Sequence, residues 1–135
     1  MQFAQICDRV ETQAGEIDPK ALVGTWINSN LDTNSIARIN ITNSEGKLQL
    51  QVFAMGPDGL IDWGTSDAHV FAPGPSSHTT AGFTCRYDFG FAETRLQAML
   101  MKGLLVLAQF HLFKDDSGRA DYFLREYFGL THDRF

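Results

Sequence analysis

From residue 22 onward, apolar and polar side chains change places at every second position, in short runs broken by Gly, Pro, Asp and Ser. Leu48, Leu50, Val52 and Ala54 alternate with Lys47, Gln49 and Gln51, and Ile39 and Ile41 alternate with Arg38 and Asn40. Phe83, Cys85, Tyr87 and Phe89 do the same against Thr84, Arg86 and Asp88. A period of two places each set on one face of a half-buried strand. The spacing predicts eight strands, over 22–29, 36–43, 47–55, 62–72, 79–89, 92–101, 104–114 and 120–129.

The segments between them are turn chemistry: Ser44-Glu45-Gly46, Gly56-Pro57-Asp58-Gly59, Pro73-Gly74-Pro75-Ser76-Ser77, Gly90, Lys102-Gly103 and Asp115-Asp116-Ser117-Gly118. Several leave room only for a tight hairpin, so neighbours in sequence are expected to pair. Strands paired in order, with no helical pattern among them to cover a sheet edge, favour closure over an open sheet. The expectation is an all-β, eight-stranded antiparallel up-and-down barrel occupying 20–130 of a single domain, 1–135. A short helical segment over 1–19 precedes it, because Phe3, Ile6, Cys7, Val10 and Ala14 recur at helical spacing and end at Gly15.

The last two strands break the alternation. Leu104 to Ala108 and Tyr122 to Phe128 are apolar or aromatic on both faces, and a strand apolar on both sides needs a cover outside the barrel. The amino-terminal helix or a second subunit would supply it, and a homodimer is the favoured expectation.

With 135 residues the chain is long enough for one self-sufficient core. Cys7 and Cys85 lie in unlike segments and predict free thiols in a reducing cytoplasm. The start, Met1 to Arg9, lacks the basic and apolar stretches of a secretory signal, and no apolar run approaches a membrane helix, so neither export nor a membrane partner is expected. The net charge is −5 with no basic cluster, which argues against nucleic acid as a partner.

Two ends of the chain carry the architectural signature: Leu22-Val23-Gly24-Thr25-Trp26-Ile27-Asn28 and Asp121-Tyr122-Phe123-Leu124-Arg125-Glu126-Tyr127-Phe128. A Gly-x-Trp opening the first strand and an Arg on the last suggest a barrel closed by Trp26 plugging one mouth, with the Arg125 guanidinium over its indole. Together with the eight-strand meander, these segments resemble the calycin superfamily of lipocalins, fatty-acid-binding proteins and avidins. The first strand is most similar to that of avidins, and the resemblance implies an inward Asn28 at a ligand's head group. Trp63 is the only other tryptophan, which argues against biotin, and the helix that follows the last strand in lipocalins has no counterpart. The Asp62-Trp63-Gly64 and Asp-x-Ser-Gly-Arg elements, the latter at Asp115 to Arg119, are similar to those of compact bacterial calycin-like proteins.

Candidate chemistry is sparse. Asp62-Trp63-Gly64 reads either as a rim that stacks on a flat ligand or as an ordinary strand entry. The Asp115 to Arg119 segment reads as a hairpin tip, without the ligand spacing of a calcium loop. His69, His78, His111 and His132 show no metal-site spacing, and no metal or cofactor is expected. His69 and His111 lie mid-strand, where each could face inward as an acid or base, with Asp88 and Glu126 as further catalytic candidates. No nucleophile elbow, phosphate loop or dinucleotide fingerprint is present. The expected function is binding of a small hydrophobic or aromatic molecule in the barrel interior, through Trp26, Asn28, Trp63, Phe83, Tyr87 and Arg125. The alternative is a cofactor-free isomerase or cyclase acting on an apolar substrate held there.

Overall fold

The computed structural model describes residues 17–131. A 3-10 turn, Lys20–Leu22, leads into eight strands: β1 (Gly24–Asn28), β2 (Ile36–Ser44), β3 (Lys47–Gly56), β4 (Gly59–Phe71), β5 (Gly82–Asp88), β6 (Ala92–Met101), β7 (Leu104–Phe113) and β8 (Tyr122–Thr131). Each pairs antiparallel with the next, and β1 pairs with β8, closing the sheet into a barrel in sequence order. The expected all-β meander is therefore present, and its closure is consistent with a calycin-like architecture. The expected helix over 1–19 falls mostly outside the described residues; 17–19, the part within them, is not helical, and the 3-10 turn follows it at Lys20–Leu22.

Turn chemistry explains the boundaries. Glu45-Gly46 and Lys102-Gly103 each place two successive residues at positive φ, the mirror-image hairpin whose twist matches that of the flanking strands. Pro57-Asp58 spans the Gly56↔Gly59 pair, so β4 begins three residues before the predicted 62. The Pro-rich stretch before Gly82 forms an excursion instead of ladder, so β5 begins later than the predicted 79.

Alternation then decides what fills the barrel. Ile39, Ile41, Leu50, Val52, Phe83, Leu96, Leu105, Leu107 and Phe128 project inward and are essentially inaccessible. They join Leu22 and Trp26 in one continuous core. The mouth at the start of β1 is closed: the Trp26 indole lies 2% exposed and donates from Nε1 to the Leu22 carbonyl at 2.8 Å. The opposite mouth is framed by the β1–β2 loop, the β3–β4 and β5–β6 turns and the β7–β8 hairpin.

One closing contact expected from the sequence is corrected here. Phe128 faces inward opposite Asn28, so the even-numbered positions of β8 point into the barrel and the odd ones point out. Arg125 is consequently exposed on the outer wall and does not cover the Trp26 indole. A one-residue difference in parity moves a strand side chain from one face to the other. The carbonyl of Leu22 takes the partner role that the sequence reading gave to the guanidinium.

Candidate functional site

Interior polar groups gather at the mouth opposite Trp26. Asn28, the last residue of β1, is 2% exposed; its Nδ2 donates to the Ile36 carbonyl at 2.9 Å, and its Oδ1 accepts from the Asn30 amide at 2.8 Å. These bonds pin both ends of the β1–β2 loop and fix Thr33 and Ser35 at the rim. The Asn28 amide thereby serves the loop, which differs from the head-group role implied by the avidin resemblance.

From that rim a string of hydrogen bonds crosses the interior. Thr33 Oγ1 donates to Glu126 Oε2 at 2.7 Å, and Gln109 Nε2 donates to Glu126 Oε1 at 3.3 Å. Ser35 Oγ donates to Gln109 Oε1 at 2.9 Å, and His111 Nε2 lies 3.2 Å from the same oxygen. His111 Nδ1 lies 2.9 Å from Thr94 Oγ1. Because a carboxylate only accepts, the Gln109 NH2 must face Glu126 and its oxygen must face His111. The imidazole then carries its proton on Nε2 and accepts from Thr94 on Nδ1. Burial lowers the His111 pKa from its usual value, which favours this neutral form.

An aromatic group adjoins the string. Thr94 pairs with Tyr87 across β5 and β6, and both project inward. The Trp63 ring meets Tyr87 edge-on at 5.5 Å and Phe89 edge-on at 5.1 Å. Trp63 reaches inward because the β3–β4 register shifts between Gln51 and Phe53, giving β4 an extra residue at Trp63-Gly64. The Tyr87 hydroxyl donates to the freed Gly64 carbonyl at 2.8 Å, and burial pushes its phenol pKa up. On the other flank Tyr122 stacks on His111 at 4.5 Å and is half exposed.

The structure therefore sorts the predicted site residues. Trp63, Tyr87, His111 and Glu126 converge on the mouth opposite Trp26. Trp26 and Phe83 belong to the core below it. His69 is exposed on the outer wall against Phe71, at 4.7 Å. Asp88 is also outside; its carboxylate is held below the usual range mainly by Lys114, whose Nζ lies 2.7 Å away. Arg125, His69 and Asp88 are thus separated from the interior by the wall of the barrel.

Thr33, Ser35, Thr94 and Gln109 were not singled out by the sequence reading. Gln109 carried a signal: it shares parity with Leu105 and Leu107 and is wholly inaccessible, a polar side chain in an inward apolar row. Among the described residues, no group of three or more His, Cys, Asp or Glu side chains could hold a metal ion. No helix in the described residues is long and apolar enough to cross a membrane. Two depressions of about 540 and 480 Å³ open on the outer wall, the first along β6–β8 and the second from Phe71 on β4 to Arg125 on β8. No known protein family, curated protein or solved structure matches the chain.

Proposed function

We propose that this protein binds a small, flat, largely apolar molecule bearing a hydrogen-bonding group, seated at the open end of the barrel interior. The observation that carries the reading is the inward string Thr33–Glu126–Gln109–His111–Thr94 beside the Trp63–Tyr87–Phe89 aromatic group. Apolar walls give affinity, while a few convergent polar groups set orientation. The packed core beneath the string limits the ligand to the mouth. The calycin-like closure supports the same reading by analogy of fold. A buried free Cys85 fits the expected reducing, cytoplasmic setting.

A cofactor-free isomerase or cyclase is favoured less, because both ring nitrogens of His111 are already engaged, at 2.9 and 3.2 Å. Proton transfer to a substrate would require one of these bonds to open. Glu126 has accessible surface and accepts only from the string, so a ligand hydroxyl or amine is the best-matched head group.

The test is thermal stability of the full chain against a panel of phenols, aromatic amines and apolar alcohols. A binder at one hundred times its dissociation constant adds about 2.7 kcal/mol, and Glu126→Gln and Trp63→Ala should each abolish much of that gain. Either no stabilisation across the panel, or stabilisation that both variants retain, would sink the proposal.

A further inference from the structure

The outer wall is chemically divided. On β3 and β4 it carries Lys47, Gln49, Gln51, Asp62 and Asp67, tied to one another by exposed polar contacts. On β6–β8 it carries Met99, Met101, Leu104, Phe123 and Tyr127, each between 41% and 60% exposed. An exposed apolar area of this extent on a water-facing wall marks a contact surface.

The ladders order what lies within it. Thr84 pairs with Gln97, Gln97 with Ala108 and Ala108 with Arg125, so the four side chains stand in one line outside the barrel. Gly82, Met99 and Val106 form the neighbouring line. Both lines dip, because Ala108 stops at its Cβ and no side chain fits at Gly82, where a Cβ would lie 2.0 Å from the Ala98 carbonyl oxygen. The result is a trough of about 480 Å³, a volume in the range that holds a small molecule.

The polar groups of this trough are uncommitted. Elsewhere on the wall Arg86 and Arg95 share Glu93, and Arg119 holds Asp115. Arg38 lies on the Phe53 ring at 4.2 Å. Arg125 has no ion-pair, hydrogen-bond or ring partner among the described residues, and the Gln97 amide has no hydrogen bond there. No acidic residue lines the trough. Arg125 and Gln97 flank Ala108 from the two adjoining strands, with backbones about 10 Å apart, so both donors can lean over the alanine.

We propose that this trough is a second ligand site, outside the barrel, for a flat aromatic carboxylate. The carboxylate lies over Ala108 between the Arg125 guanidinium and the Gln97 amide, and the ring lies along Val106, Met99 and Gly82. A guanidinium presents a planar fork that matches a carboxylate's two oxygens, and the Gln97 NH2 adds a further donor. The low floor suits a flat body, and a methionine thioether packs well against an aromatic ring. An unopposed cation with no acid beside it disfavours an amine.

Charge also selects this occupant over a second copy of the chain. A symmetric copy laid trough to trough brings another Arg125 and no carboxylate, placing like charges together. The site is independent of the mouth, where Glu126 only accepts and a hydroxyl or amine fits best; the two sites select ligands of opposite polarity.

The experiment titrates naphthoate, and its uncharged isostere naphthamide, into the full chain while the Met99 methyl and Arg125 Nε–H signals are followed by NMR. Naphthoate should shift both signals to saturation, and naphthamide should bind at least about tenfold more weakly. Arg125→Gln should weaken naphthoate at least about tenfold, and Ala108→Phe, which keeps the charge and fills the floor, should do the same. Arg86→Gln, on the same wall, should leave binding unchanged, since Glu93 keeps Arg95. Equal affinity for the acid and the amide, or naphthoate binding that Arg125→Gln retains, would overturn the proposal. So would shifts confined to Trp63 and Tyr87, or a Met99 methyl that stays unresponsive because a second copy or the chain itself covers the wall.

Discussion

Replacing Trp26 by Phe removes the plug's hydrogen bond and part of its volume at the closed mouth. The indole is 2% exposed and its Nε1 is 2.8 Å from the Leu22 carbonyl, which is itself in a fully buried residue. Leaving that carbonyl unpaired costs about 1–3 kcal/mol. The space vacated by the lost ring, ~40 Å³ at ~24 cal/mol per Å³, adds about 1 kcal/mol. Trp26→Phe should therefore destabilise the protein by about 2–4 kcal/mol, a large share of what a domain of this size usually has. Arg125→Ala, on the outer wall, should change stability by less than about 1 kcal/mol. The assay is urea denaturation of both single variants and the double variant, compared at unchanged m-value. Because the two side chains lie on opposite faces, their effects should add to within about 0.5 kcal/mol. A coupling energy above 1 kcal/mol, or an Arg125→Ala loss equal to that of Trp26→Phe, would show the guanidinium on the indole after all and refute the parity assignment of β8.

His111 gives a prediction in pH. Burial holds its pKa below 6.5, so the unfolded chain takes up the proton first, and the stability owed to a neutral His111 is complete above pH 6.5 and lost as pH falls through the folded value. NMR titration of the ring should give a midpoint under 6.5, and the stability gap between wild type and His111→Gln should shrink on acidification; a midpoint above 6.5 would contradict the buried, neutral assignment. Two strand glycines should behave oppositely. Gly82→Ala forces a Cβ to 2.0 Å from the Ala98 carbonyl oxygen and should cost about 1–3 kcal/mol, whereas Gly129→Ala meets nothing within 4 Å and should be close to neutral; equal melting temperatures for the two variants would show that β5 and β6 separate freely.

Much of the fold was legible because strand periodicity and turn chemistry are local. Glu45-Gly46 and Lys102-Gly103 announce their hairpins without reference to the rest of the chain, and the alternation in β3 names its inward row outright. β8 was harder. Tyr122 to Phe128 is apolar or aromatic at nearly every position, so two parities fitted equally well and Arg125 was placed on the wrong face. The same ambiguity hid Gln109 inside an apolar run, though its shared parity with Leu107 was available as a clue.

The polar string at the mouth lay further beyond reach. Its members come from the β1–β2 loop, β6, β7 and β8, and no local spacing connects Thr33 to Glu126 or Ser35 to Gln109. Asn28 was expected to point inward and does, but the Ile36 carbonyl that occupies its amide is set by the path of the loop. Trp63 reaches the interior only through the register shift in the β3–β4 ladder, which depends on how two strands accommodate one extra residue.

The order of apolar and polar residues by itself determined that this chain makes eight short strands, that neighbours pair, and that Trp26 opens the first of them, since each of these follows from steric preferences within a few residues. Which side of the last strand faces inward, that Gln109 bridges Glu126 to His111, and that this polar string lies above the packed core at the mouth opposite Trp26 were decided only in three dimensions. Those outcomes depend on closing β1 against β8, a contact between distant parts of the chain whose register no local pattern sets.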